Sequence, residues 1–366
     1  MFKYAIIGSG VSASTVAKEL NDDNVIVIEK GDKVVYQNEG KNVEVIHTKG
    51  LGGSSIFSLG NAVILKKIEG YKIKRDLYKE IWEELNIKEP SEEFLSEFDN
   101  FLLDRGFKKM SKFIDFDKCN KCGLCSRKPC EAKWTPINYL KESRAKIVKN
   151  FEVKEIVREK DHFIIEGDYK IRAEKVIVSA GAIGTARLFL DKDERVGKNL
   201  FVDTFVTVGG ILKDSHLNKH LSMLVYKDYG NFILSPHYSK LIYGEIKKER
   251  DVEEKDIVGI MVKIKDENDG IVLKDSVKKE ISREDLKILG RGISKASKFL
   301  YDLGVEELYI TRARGSHPGG TLSFIKDFSL EEDLYVCDSS LFKDSLGKPP
   351  IVSLIALAKT FVREYL

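Results

Sequence analysis

Four of the five cysteines stand between positions 119 and 130, as Cys119, Cys122, Cys125 and Cys130, separated by two, two and four residues. Thiolates at every third position can wrap one iron–sulfur cube, as in ferredoxins, whereas structural zinc usually takes two separated cysteine pairs. A 4Fe-4S cluster is therefore the first expectation, with zinc, disulfides or unliganded thiols as alternatives. Such clustering suits metal chemistry in a reducing compartment better than a dispersed disulfide framework. Cys337 stands alone. A second group lies near the start of the chain, where Gly8-x-Gly10-x-x-Ala13 precedes Glu29 by about one βαβ half-unit. Glycines there let backbone N–H groups approach a pyrophosphate at a helix N-terminus, and the carboxylate can accept from a ribose hydroxyl. That pattern predicts dinucleotide binding without choosing between NAD and FAD. Leu51-Gly52-Gly53-Ser54-Ser55 is too rich in small residues for an element core and suits a backbone lying close to a flat ring or a phosphate.

These residues need elements to position them. The apolar run KYAII, the break GSGVSAS, the helical spacing of STVAKEL and the run DNVIVIEK read as strand, tight turn, helix and strand, the opening of a doubly wound α/β unit. Residues 76–107 read as charged, amphipathic surface helices. From 145 to 181 alternation predicts a β-meander turning at Glu159-Lys160-Asp161 and Gly167-Asp168 and ending in the buried run Val176-Ile177-Val178. Alternation between 203 and 275 predicts an antiparallel sheet, with a hairpin turn at Glu267 to Gly270. Ser282, with Asp285 three positions on, caps a helix that ends near Leu303 before Gly304.

A chain of 366 residues has room for about two domains. Its 61 Lys and Arg against 58 Asp and Glu leave a net charge of +3, a mixed-sign surface with no footprint for nucleic acid. No run of 18 apolar residues predicts a transmembrane segment, and Gly and Ser interrupt the only signal-like stretch, so the expectation is a cytoplasmic protein. Gln37 is the single glutamine among abundant Lys and Glu, a composition that suits a thermophilic source.

Three segments together carry a family resemblance: the Leu51–Ser55 loop, the stretch from Val176 to Leu188 (VIVSAGAIGTARL), and the tail Leu334 to Phe342 (LYVCDSSLF). With the opening fingerprint they closely resemble the glucose/methanol/choline (GMC) flavin oxidoreductases, in order along nearly the whole chain. The resemblance implies FAD as cofactor. It implies that Gly8, Gly10, Ala13 and Glu29 serve the pyrophosphate and ribose, and that Gly52, Gly53 and Ser54 lie beside the flavin. It also implies that Val153 meets the adenine by main chain, that Ala180 and Gly181 lie over the cofactor, and that Asp338 returns to it. Ser316-His317-Pro318-Gly319-Gly320-Thr321 is similar to the family's catalytic histidine segment, making His317 the base beside flavin N5. His47, His162, His216, His220 and His237 have no comparable context.

The chain departs from the family where Gly347-Lys348-Pro349-Pro350 puts Pro349 in the place of a second hydrogen-bonding Asn or His. Either Lys348 or another residue supplies that contact, or the reaction differs from ordinary alcohol oxidation. Some relatives carry a similar cysteine run, with the fourth cysteine placed differently. The expected architecture is α/β: a discontinuous Rossmann-type FAD-binding domain (1–75, 140–200 and 311–366), a helical and cysteine-bearing insertion (76–139), and an α+β substrate domain with an antiparallel sheet (201–310). The expected function is a dehydrogenase that oxidises a CH–OH group of an alcohol or sugar-like substrate, electrons leaving through the cluster to a carrier such as a ferredoxin or quinone. Two alternatives are a reductase of a double bond or carbonyl fed by a ferredoxin-like donor, and a non-catalytic electron-transfer flavoprotein.

Overall fold

The computed structural model describes residues 1–65 and 68–366. Its first sheet is built around the apolar runs read from the sequence. Phe2–Ile7 lies parallel to Val25–Ile28 on one side and to Lys170–Val178 on the other, and the parallel set is extended by Lys146–Val148 and Leu334–Val336. Val25–Ile28 is buried along its whole length, as a strand covered on both faces must be. The helix Val11–Leu20 packs on the C-terminal helix Ile351–Tyr365 and on Pro136–Glu142. Antiparallel strands Glu155–Arg158 and Phe163–Glu166 form the meander with Lys170–Val178, turning where the sequence predicts.

Strand register brings the chemistry to one edge. Ile7 pairs with Ile28 and with Val178, and Val178 pairs with Val336. Gly8, Glu29, Ser179 and Cys337 therefore leave the carboxyl ends of four parallel strands side by side, the place where open α/β sheets bind ligands.

The second sheet is largely antiparallel. Its long strands Thr204–Ile211 and Ile257–Ile264 pair over seven residues, Phe232–Pro236 and Val225–Asp228 follow, and the helix Arg283–Asp302 covers one face. Ser282 caps that helix through a full capping box with Asp285, and Gly304 follows its end in a left-handed conformation. Three details depart from the sequence reading. Val35–Glu39 and Glu44–Lys49, inside the expected 1–75 cofactor segment, belong to the second sheet, as does Arg314–Gly315. Glu267 to Gly270 is not a hairpin turn, since the strand after it, Ile271–Val272, pairs with Val277–Lys278. Val153, inside the expected 145–181 meander, lies before its strand Glu155–Arg158 and in no strand itself.

Candidate active site

A cavity of about 890 Å³ runs from the carboxyl edge of the first sheet to the face of the second, near the upper end of the roughly 300–1,000 Å³ usual for small-molecule sites. Gly8, Gly10, Glu29, Gly53, Ser54, Val153, Ala180, Gly181, His317 and Asp338 all line it. Residues drawn from seven separated parts of the chain thus meet in one space.

The two fingerprint glycines do different work. Gly8 has φ +103° and a Cβ placed there would lie 2.3 Å from the Ser179 carbonyl oxygen, so the turn itself requires glycine. A Cβ on Gly10 would meet nothing within 4 Å, and the same holds for Gly181 at the start of the helix Gly181–Phe189. Both point into open cavity at helix N-termini, a cradle suited to a pyrophosphate and to the edge of a ring. Glu29 is buried, accepting from Ser9 Oγ at 2.6 Å and from the Gly31 N–H at 3.1 Å. Ser9 also accepts from the Gly52 N–H at 2.9 Å, which ties the second glycine-rich loop to the fingerprint turn.

Two expected cofactor contacts do not face the cavity. Ala13 is fully buried in the helix–sheet core, where a small residue permits close packing. Gly52 is buried beneath the loop, where a Cβ would strike the Ile56 side chain at 2.6 Å. Asp338 is buried and takes three hydrogen bonds, from the Gly181 N–H, the Thr185 hydroxyl and the Ser340 N–H. Burial raises its pKa. Its role here is to fix the helix start that faces the cavity.

His317 is held by a group the sequence reading missed. Its Nδ1 lies 2.8 Å from Oδ2 of Asp203, which is fully buried and also accepts from Ser345 Oγ at 2.7 Å and the Gly347 N–H at 2.8 Å. A carboxylate at Nδ1 fixes the tautomer with the proton there, leaving Nε2 as an acceptor. The His317 side chain keeps 22% of its surface open, enough to meet a ligand in the cavity. Burial lowers its pKa, the neighbouring Lys263 ammonium lowers it further, and Asp203 opposes both. Lys263, on Ile257–Ile264, is buried with its pKa pushed down to about 8 by desolvation. A signal for both lay in the sequence: Asp203 and Lys263 interrupt apolar strands that must be buried, and such charges persist there only when partnered or used.

The proline at 349 lines the cavity, and Lys348 does not replace the missing Asn: its ammonium is ion-paired to Asp228 at 2.6 Å, away from the lining. His237, which no motif in the sequence marks, lines the cavity and bonds Thr207 Oγ1 at 3.0 Å through Nδ1. Burial, with Arg314, Lys263 and Arg127 nearby, holds its pKa down to about 4, so its ring is neutral near pH 7.

The cysteine segment borders the same cavity. Ser126, next to Cys125, is part of the lining, and its carbonyl accepts from the Tyr36 hydroxyl at 2.6 Å. Cys119, Cys125 and Cys130 pack in one apolar cluster with Phe94, Ile114, Leu221 and Leu224. All four thiols are free, and among the described residues no three His, Cys, Asp or Glu side chains converge tightly enough to hold a single metal ion. Two buried lysines lie against this segment. Lys133 donates to the carbonyls of Ile56, Ser58 and Cys125, and Lys112 to those of Leu59 and Ser222 and to Asn61 Oδ1. Among the described residues neither has a carboxylate in ion-pair range. Burial pushes the Lys112 pKa down to about 7 and that of Lys133 to about 8.

No protein-family model matches the chain. It is 60% identical to "Uncharacterized protein MJ1450" of Methanocaldococcus jannaschii over the whole of both chains. Among solved structures it is similar to pyridoxine 4-oxidase from Mesorbium loti, with a TM-score of 0.75 at 12% identity, covering 100% of this chain and 99% of that one. It is also similar to a formate oxidase from Aspergillus oryzae studied for the effect of a mutation on its FAD modification, with a TM-score of 0.74 at 14% identity over 99% and 97% of the two chains. The fold is that of the GMC oxidoreductases, a mixed, mainly parallel sheet beside a largely antiparallel one. Among the described residues no helix is long and apolar enough to cross a membrane.

Proposed function

This chain belongs to one family with the M. jannaschii protein MJ1450, and we propose that it is an FAD-dependent oxidoreductase acting on a CH–OH group. The observation that carries the reading is that the open cradle at Gly10 and Gly181 and the His317–Asp203 pair share one cavity. Backbone N–H groups at Gly10 and the helix start would hold the pyrophosphate, Glu29 a ribose hydroxyl and the Val153 main chain the adenine. Gly53, Ser54, Ala180 and Gly181 would flank the flavin. Bound FAD supplies the hydride acceptor.

The protein's own part is proton handling and placement. His317 takes the substrate hydroxyl proton at Nε2 as the carbinol carbon is oxidised, and Asp203 stabilises the resulting imidazolium through Nδ1–H. Burial and Lys263 keep the ring unprotonated at neutral pH, ready to accept. Pro349 offers no second hydrogen bond, and His237 or Lys263, which line the same cavity, can make that contact.

The electron exit is the second part of the proposal. Cys119, Cys122, Cys125 and Cys130 would hold a 4Fe-4S cluster, which would pass electrons singly to a ferredoxin- or quinone-like carrier and make the protein a dehydrogenase. Four thiolates around a cluster carry net negative charge, and the buried ammonium groups of Lys112 and Lys133 lie beside the segment with no carboxylate partner among the described residues. Pro349 also favours a second reading, with electrons entering from a ferredoxin-like donor to reduce a carbonyl or double bond.

Denaturation should release FAD, and His317→Asn should keep FAD while slowing substrate-dependent flavin reduction by about 10² to 10⁴ in anaerobic stopped flow. A protein that neither contains FAD nor is stabilised by it would refute the assignment. Unchanged reduction in the variant would remove His317 from the chemistry.

A further inference from the structure

Strand register sets a row of side chains across the second sheet. Arg314 pairs with Phe205, Phe205 with Lys263, and Lys263 with Ile233. Residues directly opposite one another across antiparallel strands share a face, and all four line the cavity. Adjacent strands lie about 4.8 Å apart, so the Arg314 and Lys263 backbones stand about 10 Å apart with Phe205 between them. Lys263 Nζ leans over the Phe205 ring, 5.2 Å from its centroid.

This row carries two cations: Arg314 is ion-paired to Glu44 through Nε alone, and Lys263, with Asp203 and Asp266 nearby, has no carboxylate in ion-pair range among the described residues. Lys263 is 3% exposed. Its Nζ lies 3.3 Å from His317 Nδ1, but that nitrogen gives its proton to Asp203, so two donors face each other there and no hydrogen bond forms. Ser316 Oγ, at 3.5 Å, is the other polar contact, and no carboxylate is in ion-pair range among the described residues. Arg314 gives Nε to Glu44 at 2.7 Å, and its terminal nitrogens make no hydrogen bond among the described residues. A buried ammonium left this way is costly, which implies that its partner arrives with the ligand.

Resting on the reading of the cavity as a site of CH–OH oxidation, we propose that the substrate is a 2-hydroxy acid, its carboxylate held between Lys263 and Arg314 over Phe205. The 3.3 Å between Lys263 and His317 places the negative charge next to the carbinol carbon. Oxidation breaks the carbinol C–H and O–H bonds. The hydride goes to oxidised FAD, the proton goes to His317 Nε2, and the C–O bond becomes the carbonyl of a 2-oxo acid.

The test is calorimetric titration of the purified protein with oxalate and with propane-1,2-diol, FAD content being measured separately. Oxalate should bind and the diol should not. Lys263→Met should weaken oxalate by about 10- to 100-fold, as loss of one charged hydrogen bond predicts, and Arg314→Gln should weaken it by about 10-fold. Anaerobically, lactate should bleach the flavin and the diol should not. Failure of the wild-type protein to bind oxalate, or wild-type affinity for oxalate in both variants, overturns the proposal, as does binding of glycerol 3-phosphate in place of oxalate. If Lys263→Met does not fold, Arg314→Gln and the wild-type titrations decide. Lysine-dependent oxalate binding in a protein without FAD would sustain the anion site while refuting the oxidoreductase reading. A flavin bleached by neutral alcohols in a protein indifferent to oxalate would do the reverse.

Discussion

Gly8 and Gly10 are two residues apart, yet alanine at each should fail in a different way. At Gly8 a methyl group would sit 2.3 Å from the carbonyl oxygen of Ser179, just past the end of the neighbouring parallel strand, at φ +103°. Left-handed strain of about 1–2 kcal/mol and overpacking of about 1–3 kcal/mol give a loss of about 2–5 kcal/mol in the fold itself. For a 366-residue chain that corresponds to a fall in melting temperature of about 3–6 °C, at the usual unfolding entropy per residue. Gly10 has φ −70° and open space before it, so Gly10→Ala should cost the fold only about 1 kcal/mol, the price of a poorer helix cap. Its methyl group would instead occupy the pyrophosphate track. Losing two charge-assisted backbone hydrogen bonds at about 1.5 kcal/mol each weakens FAD by about 10²-fold. Calorimetric melting of FAD-free protein, followed by FAD titration, separates the two effects. Full FAD affinity in Gly10→Ala, or equal melting losses in both variants, would refute the assignment of the cradle.

Asp203→Asn preserves size and tolerates the left-handed backbone at φ +52°, but an amide can donate to His317 Nδ1 and so select the wrong tautomer. Flavin reduction should slow by about 10² to 10⁴ with FAD retained, and an unchanged rate would show that the pair does not act together. In the wild-type protein, reduction should rise with pH through a value below 6.5, because the lowered His317 pKa frees the base early. Affinity for an anionic substrate should then fall above about pH 8 as Lys263, which faces Asp203 and Asp266, loses its charge; a pH-independent affinity from 6 to 10 would contradict this. Cys122→Ser in protein kept from air should lose iron and sulfide, keep FAD, and slow acceptor-linked turnover more than flavin reduction. Stoichiometric zinc, or peroxide formed at the full turnover rate, would contradict the cluster as electron exit.

The first sheet and its glycine turn were legible in the sequence because their physics is local. An apolar run, two glycines and a carboxylate at the next strand end are consecutive requirements of one βαβ unit, and the capping box at Ser282 is equally short-range. Ala13 and Gly52 were legible as motif members but not as packing residues, since which side of a loop faces a ligand depends on what packs behind it. Membership of Val35–Glu39 and Glu44–Lys49 in the second sheet could not be read, because the strand that ties this hairpin to the sheet, Arg314–Gly315, lies some 270 residues away. The same holds for the site's electrostatics. Asp203, Lys263, Arg314 and His317 acquire their meaning only when antiparallel register sets three strands in a row and a left-handed residue turns a carboxylate toward an imidazole. Residue types and spacing determined the fold's opening and the chemistry it could host, whereas long-range pairing and burial decided which charges stand together.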